Sequence, residues 1–132
     1  MGLVSKILLL TMYFTDREKC AIHFVLAHMA LADEKIDEKE TAFGVAVAIK
    51  LQISSELIKR TETMDVSEAL NIIAAMTAEE KRLVCGLMGA MMIVDEDISP
   101  REQLLWSLIS TRCGFPNMNI GEAAQIGSNF LG

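Results

Sequence analysis

The feature that most constrains the fold of this chain is an internal repeat. Residues 15–40 align with residues 77–102 without a gap, at a constant offset of 62 positions, and eight of the 26 aligned positions are identical. The 132 residues are the size of one domain. The repeat therefore predicts a single domain covering 1–132, built from two copies of a three-helix unit, about 3–54 and 65–116, packed face to face.

Helix start signals recur at the same phase of both units. Thr15, Thr77, Asp37 and Ser99 are each followed by a glutamate three residues later. This is the pattern of a capping box, in which two side chains satisfy amide groups that the first turn leaves unpaired. Between these starts the apolar residues follow helical spacing, and no segment alternates with the period of a strand. The sequence predicts an all-α bundle of seven to eight helices.

Two further features of the bundle are predicted from glycine placement and from the chain ends. Gly86 and Gly89 interrupt an apolar helix and are expected to permit close approach of the two units. The outermost helices are expected at 3–13 and, as a weak last helix, at 120–130, where Gly127 lowers the helical tendency.

Composition excludes several classes of function. The net charge of −6 is unsuited to a phosphate backbone, so no nucleic-acid partner is expected. No apolar run reaches the length of a membrane span. Three widely spaced cysteines in apolar surroundings predict a reduced, cytoplasmic protein. The apolar content of 52% predicts spare apolar surface for a protein partner or a homodimer.

The negative charge is concentrated in two equivalent turns. Segments 33–40 and 95–102 each carry a net charge of −3 and together account for the whole −6. The capping boxes explain the acids at the start of the following helices. They do not explain the acids that directly follow a helix end, where the macrodipole disfavours negative charge. Solvation by water, a bound cation and a basic protein partner all remain open as explanations.

No catalytic or standard metal constellation accompanies these turns. The second turn is not an EF-hand, because Pro100 and Trp106 stand where glycine and the bidentate glutamate are required. His23 and His28 are five positions apart, which does not suit a metal pair on one helix face. The carboxylates lie in turns expected to be exposed, where burial would not tune their pKa. A non-enzymatic protein is therefore expected.

The passages Ala30–Glu40 and Met92–Glu102 each follow the pattern D-x-x-I-x-x-x-E after an apolar helix. The repeated pattern resembles the tellurite-resistance TerB family, whose domain also occurs in DnaJ-like co-chaperones. The resemblance implies a pseudo-symmetric domain of seven or eight helices with an acidic cluster proposed to bind metal. The cluster maps to Asp33, Asp37, Glu40, Asp95 and Glu102.

This chain departs from the family pattern after the loop aspartates, where the family usually has glycine and this sequence has glutamate. The candidate cation ligands are the carboxylates of both turns: Asp33, Glu34, Asp37, Glu40, Asp95, Glu96, Asp97 and Glu102. The expected function is that of a TerB-like domain that binds a divalent cation (Ca²⁺, Mg²⁺ or Mn²⁺) or a protein partner in stress or envelope physiology. The alternative is a structural adaptor or homodimerisation module that acts through apolar helix faces, without a metal site.

Overall fold

The structure is a computed structural model and describes residues 14–32, 38–94 and 97–132. Within these ranges the chain forms seven α-helices and no strand. The helices are α1 (Asp16–Ala30), α2 (Glu38–Leu51), α3 (Ser55–Thr61), α4 (Val66–Ala74), α5 (Ala78–Ile93), α6 (Pro100–Cys113) and α7 (Ile120–Leu131). The predicted all-α class is confirmed. The helix expected at 3–13 lies outside the described residues.

The helices begin where the sequence signals predict. Capping boxes are present at three of the four expected places, namely Thr15–Glu18, Thr77–Glu80 and Ser99–Glu102. In the first, the Glu18 amide donates to the Thr15 hydroxyl at 3.1 Å, and the Thr15 amide donates to the Glu18 carboxylate at 2.8 Å. The fourth involves Asp37, which lies outside the described residues. α6 ends at Gly114, whose positive φ of 69° suits glycine at a helix end.

The helix bounds follow the 62-residue offset. α2 and α6 end at equivalent positions, Leu51 and Cys113, and α2 is helical from the first residue described after its turn, Glu38, which is equivalent to Pro100. α1 and α5 start at equivalent positions, and their ends differ by one residue. The superposition in space of units 3–54 and 65–116 stays a prediction.

The core is centred on α5. Every residue from Leu83 to Met92 is buried, and α5 contacts α1, α2, α6 and α7. Four methionines, Met29, Met88, Met91 and Met92, belong to this core, since all are at most 1% exposed. Buried residues from all seven helices join one hydrophobic cluster, or pack directly against it.

The glycines of α5 permit a close helix contact, but with a different partner from the one predicted. A methyl group added to Gly86 would lie 3.0 Å from the amide nitrogen of Gly127, and one added to Gly89 would lie 2.7 Å from the Cβ of Ala123. Both contacts are with α7. The expectation that these glycines bring the two units together was wrong, because α7, treated as a weak tail helix, lies directly on them and buries Phe130.

Candidate functional site

The acidic turns join α1 to α2 and α5 to α6. Three of the eight predicted cation ligands belong to the described residues: Glu40, Asp97 and Glu102. The other five, Asp33, Glu34, Asp37, Asp95 and Glu96, lie outside them. The structure therefore describes the end of each turn at which the following helix begins.

Glu40 and Glu102 occupy equivalent positions of the repeat, in the first turns of α2 and α6. Glu40 is 1% exposed and Glu102 is 0% exposed. The expectation that the carboxylates of these turns are exposed was wrong for both. The first turn of a helix favours a carboxylate, because unpaired amide groups and the positive end of the macrodipole face it. Each helix therefore turns one acid inward at its start.

The Glu102 carboxylate is held by the backbone at the helix start. Its Oε1 accepts a hydrogen bond from the Ser99 amide at 3.1 Å, and the Ser99 hydroxyl accepts one from the Glu102 amide at 3.1 Å. Asp97 lies two residues before Ser99 and is exposed. Of the two carboxylates of the second turn that the structure describes, Asp97 faces solvent and Glu102 is fixed inside the protein.

Glu40 borders a pocket that is otherwise nearly apolar. The pocket has a volume of about 340 Å³ and lies between α1, α2 and α3. Leu26, Val47 and Met91 are among its walls, and His23 is its second ionisable residue. Burial lowers the pKa of His23, so the imidazole is neutral at pH 7. The side chain of Glu40 therefore has an apolar, low-dielectric environment on the side of this pocket.

The remaining titratable side chains give no sign of an activated nucleophile in the described residues. Burial raises the pKa of the Cys85 thiol to about 12 and also raises that of Cys113. A thiol with a raised pKa is a poor nucleophile near neutral pH. The Nδ1 of His28 lies 2.9 Å from the carbonyl oxygen of Phe24, and the two rings stack with centroids 4.1 Å apart.

A metal-ligand cluster is not formed by the described residues on their own. Within 14–32, 38–94 and 97–132, no three histidine, cysteine, aspartate or glutamate side chains are grouped so that they could hold a metal ion. Because five of the predicted ligands lie outside these ranges, the cation site stays a prediction. Glu40 and Glu102 were predicted from the sequence as ligands, but their burial was not predicted.

The outer surface carries several large apolar side chains. On α2, Ile49 is 73% exposed and Val45 is 54% exposed. On α6, Leu104 and Leu108 are 61% and 57% exposed. Across the described part of the chain, no helix by itself has the length and hydropathy needed to cross a bilayer, and α2 with α3, bent by 118°, meets that test only as a pair.

Comparison with solved structures identifies a relative. The chain is similar to PG1108, a protein of unknown function from Porphyromonas gingivalis W83, with 34% sequence identity and a TM-score of 0.75. The match covers 88% of this chain and 91% of the other. No family model matches the chain, and no curated protein matches it. Identity and coverage at this level show that the chain belongs to the same family as this Porphyromonas protein.

Proposed function

We propose that the chain is a non-enzymatic, TerB-like domain that binds a divalent cation through its two acidic turns. The observation that carries the proposal is the burial of Glu40 and Glu102, at 1% and 0% exposure, at equivalent positions of the repeat. Burial of a carboxylate is costly unless hydrogen bonds or a positive charge compensate for it. Both carboxylates lie at the start of a helix, at the end of a segment with a net charge of −3, and the Glu102 carboxylate accepts a hydrogen bond from the Ser99 amide.

The chemistry of the two segments favours a hard cation. Carboxylate oxygens are the preferred protein ligands of Ca²⁺, Mg²⁺ and Mn²⁺. Acids that follow a helix end oppose the local dipole and repel the acids that start the next helix. A divalent ion between them relieves both penalties. The matching helix bounds at the 62-residue offset support the same arrangement in both halves, with units 3–54 and 65–116 related by an internal two-fold.

Thermal unfolding tests the proposal. A cation that binds only the native turns stabilises the fold by RT ln(1 + [L]/Kd), about 2.7 kcal/mol at a hundredfold excess over Kd. Millimolar Ca²⁺, Mg²⁺ or Mn²⁺ is expected to raise the melting temperature well beyond NaCl at the same ionic strength. Asp33→Asn and Asp95→Asn are each expected to reduce that increment.

The matched control is Lys19→Ala, a change of charge near the start of α1 and outside the sequence of both turns. It is expected to leave the increment unchanged. The cation proposal is wrong if divalent and monovalent salts act alike at equal ionic strength. A basic protein partner or simple solvation then accounts for the acidic turns.

A second candidate function is supported by the exposed face of α2. Ala42, Val45, Ala46 and Ile49 are all exposed and follow the i, i+3, i+4, i+7 spacing of one helix stripe. In a structural adaptor or homodimer this stripe would be covered, while the acidic turns confer only solubility. Sedimentation velocity of the native protein and of Ile49→Glu separates the two functions. A dimer that Ile49→Glu dissociates, together with no selective effect of divalent ions, supports the alternative.

A further inference from the structure

A second apolar pocket lies on the other side of α1, between α4 and α6. Its volume is about 310 Å³. The walls are mainly apolar side chains from three helices: Phe24, Val25, Leu70, Leu105, Leu108 and Ile109. This volume is at the lower end of the range of small-molecule sites, roughly 300–1,000 Å³. None of the residues that line the pocket belongs to an acidic turn, so a ligand in the pocket is independent of cation binding at the turns.

Arg112 supplies positive charge at this apolar pocket. It lies in the last turn of α6, is exposed, and belongs to the lining. Its Nη2 donates a hydrogen bond to Oδ1 of Asn71 on α4, a neutral acceptor. No carboxylate of the described residues is bonded to its guanidinium. In a protein with a net charge of −6, this is a positioned cation that remains available to an anionic group.

The position equivalent to Arg112 in the other repeat unit also carries a cation, and there the cation contacts an aromatic ring. Lys50 precedes Arg112 by 62 residues and lies in the last turn of α2. Its ammonium lies 5.7 Å from the centre of the Phe130 ring, on α7. There, α7 covers α5 at Gly86. The residue equivalent to Gly86 is Phe24, which lines the open pocket. Among the described residues, α7 thus covers the surface formed by α2 and α5, while the equivalent surface of α6 and α1 has an apolar pocket beside a cation.

We propose that this pocket binds a small apolar carboxylate, such as a medium-chain fatty acid. The alkyl chain lies against Phe24, Leu105 and Ile109, and the carboxylate is paired with the guanidinium of Arg112. A guanidinium and a carboxylate form two parallel, charge-assisted hydrogen bonds, which fixes the head group. The apolar walls contribute through burial of the chain, and each buried CH₂ group tightens binding by about fourfold.

Isothermal titration calorimetry with octanoate tests the proposal on the full chain. The native protein is expected to bind octanoate, to bind hexanoate at least several-fold more weakly, and to bind octanol roughly tenfold more weakly, since the alcohol lacks the charged head group. Arg112→Gln is expected to weaken octanoate binding by roughly tenfold and to leave octanol binding unchanged. Lys50→Gln is the matched control, because it removes the equivalent cation from the surface that α7 covers, and it is expected to leave octanoate binding unchanged.

A second variant tests the wall of the pocket independently. Leu108 is 57% exposed, so Leu108→Asp is compatible with folding. It places a negative charge at the pocket and is expected to abolish octanoate binding. The proposal is overturned if octanoate does not bind the native protein, if octanol binds as tightly as octanoate, or if Arg112→Gln and Lys50→Gln have equal effects.

Discussion

The contact between α5 and α7 makes a sharp prediction for Gly127→Ala. A Cβ at position 127 would lie 2.2 Å from the carbonyl oxygen of Gly86 and 2.8 Å from the Cβ of Ala90. Ordinary van der Waals contact begins at 3.4 Å, so the two helix backbones must separate by about 1 Å or α7 must leave its site.

Either response destabilises the protein. Overpacking that moves the backbone costs about 1–3 kcal/mol. Release of α7 exposes Phe130, which is 4% exposed in the fold, at a cost of about 1.5–3 kcal/mol. The gain in helix propensity on replacing glycine with alanine offsets about 1 kcal/mol of this cost. We expect Gly127→Ala to lower the free energy of unfolding by up to about 2 kcal/mol.

Urea denaturation followed by circular dichroism measures the change. The matched control is Gly44→Ala on α2, where the nearest atom to the new methyl group is the Cε of Met91 at 3.9 Å. This variant gains helix propensity without a clash and is expected to be more stable than the native protein by about 0.5–1 kcal/mol. A Gly127→Ala protein as stable as Gly44→Ala would show that α7 does not lie on α5 at this distance.

Two further predictions concern pH and capping. Burial raises the pKa of Cys85 from 9.0 to about 12, so the thiol of the unfolded chain ionises first as pH rises, and its contribution to the free energy of unfolding is lost between pH 9 and 12. Urea denaturation across this range should show a smaller loss of stability for Cys85→Ala than for the native protein, and equal losses would contradict the assignment. Ser99→Ala removes the hydroxyl that accepts the Glu102 amide at 3.1 Å and is expected to lower the free energy of unfolding by about 1 kcal/mol; an unchanged urea midpoint would contradict this role.

Local signals carried most of the predictable structure. The helix starts at Thr15, Thr77 and Ser99 were predictable because a capping box is written in residues three apart and needs no tertiary context. The last helix has the same signal, since Asn119 and Glu122 form a capping box. This local signal predicts a helix start at residue 120, although Gly127 within the helix lowers its intrinsic helical tendency.

Burial was less predictable, because it depends on which element covers which. Nothing in the spacing of Glu40 and Glu102 separates a carboxylate that faces solvent from one that faces inward. Gly86 and Gly89 indicated a close contact, but the identity of the partner required the position of α7. The pocket beside Arg112 was equally invisible in the sequence, since it forms where residues from α1, α4 and α6 meet.

We propose that the acidic turns bind a divalent cation together with Glu40 and Glu102, the buried glutamates at the start of the helix that follows each turn. Isothermal titration of Mn²⁺ into the native protein, Glu102→Gln and Glu80→Gln tests it most directly. Glu80 is the matched control, because it occupies the same capping-box position on α5, at the opposite end of that helix from the second acidic turn. We expect Mn²⁺ to bind the native protein and Glu80→Gln equally, and Glu102→Gln at least tenfold more weakly. Absence of binding to the native protein, or equal binding to all three, would contradict it.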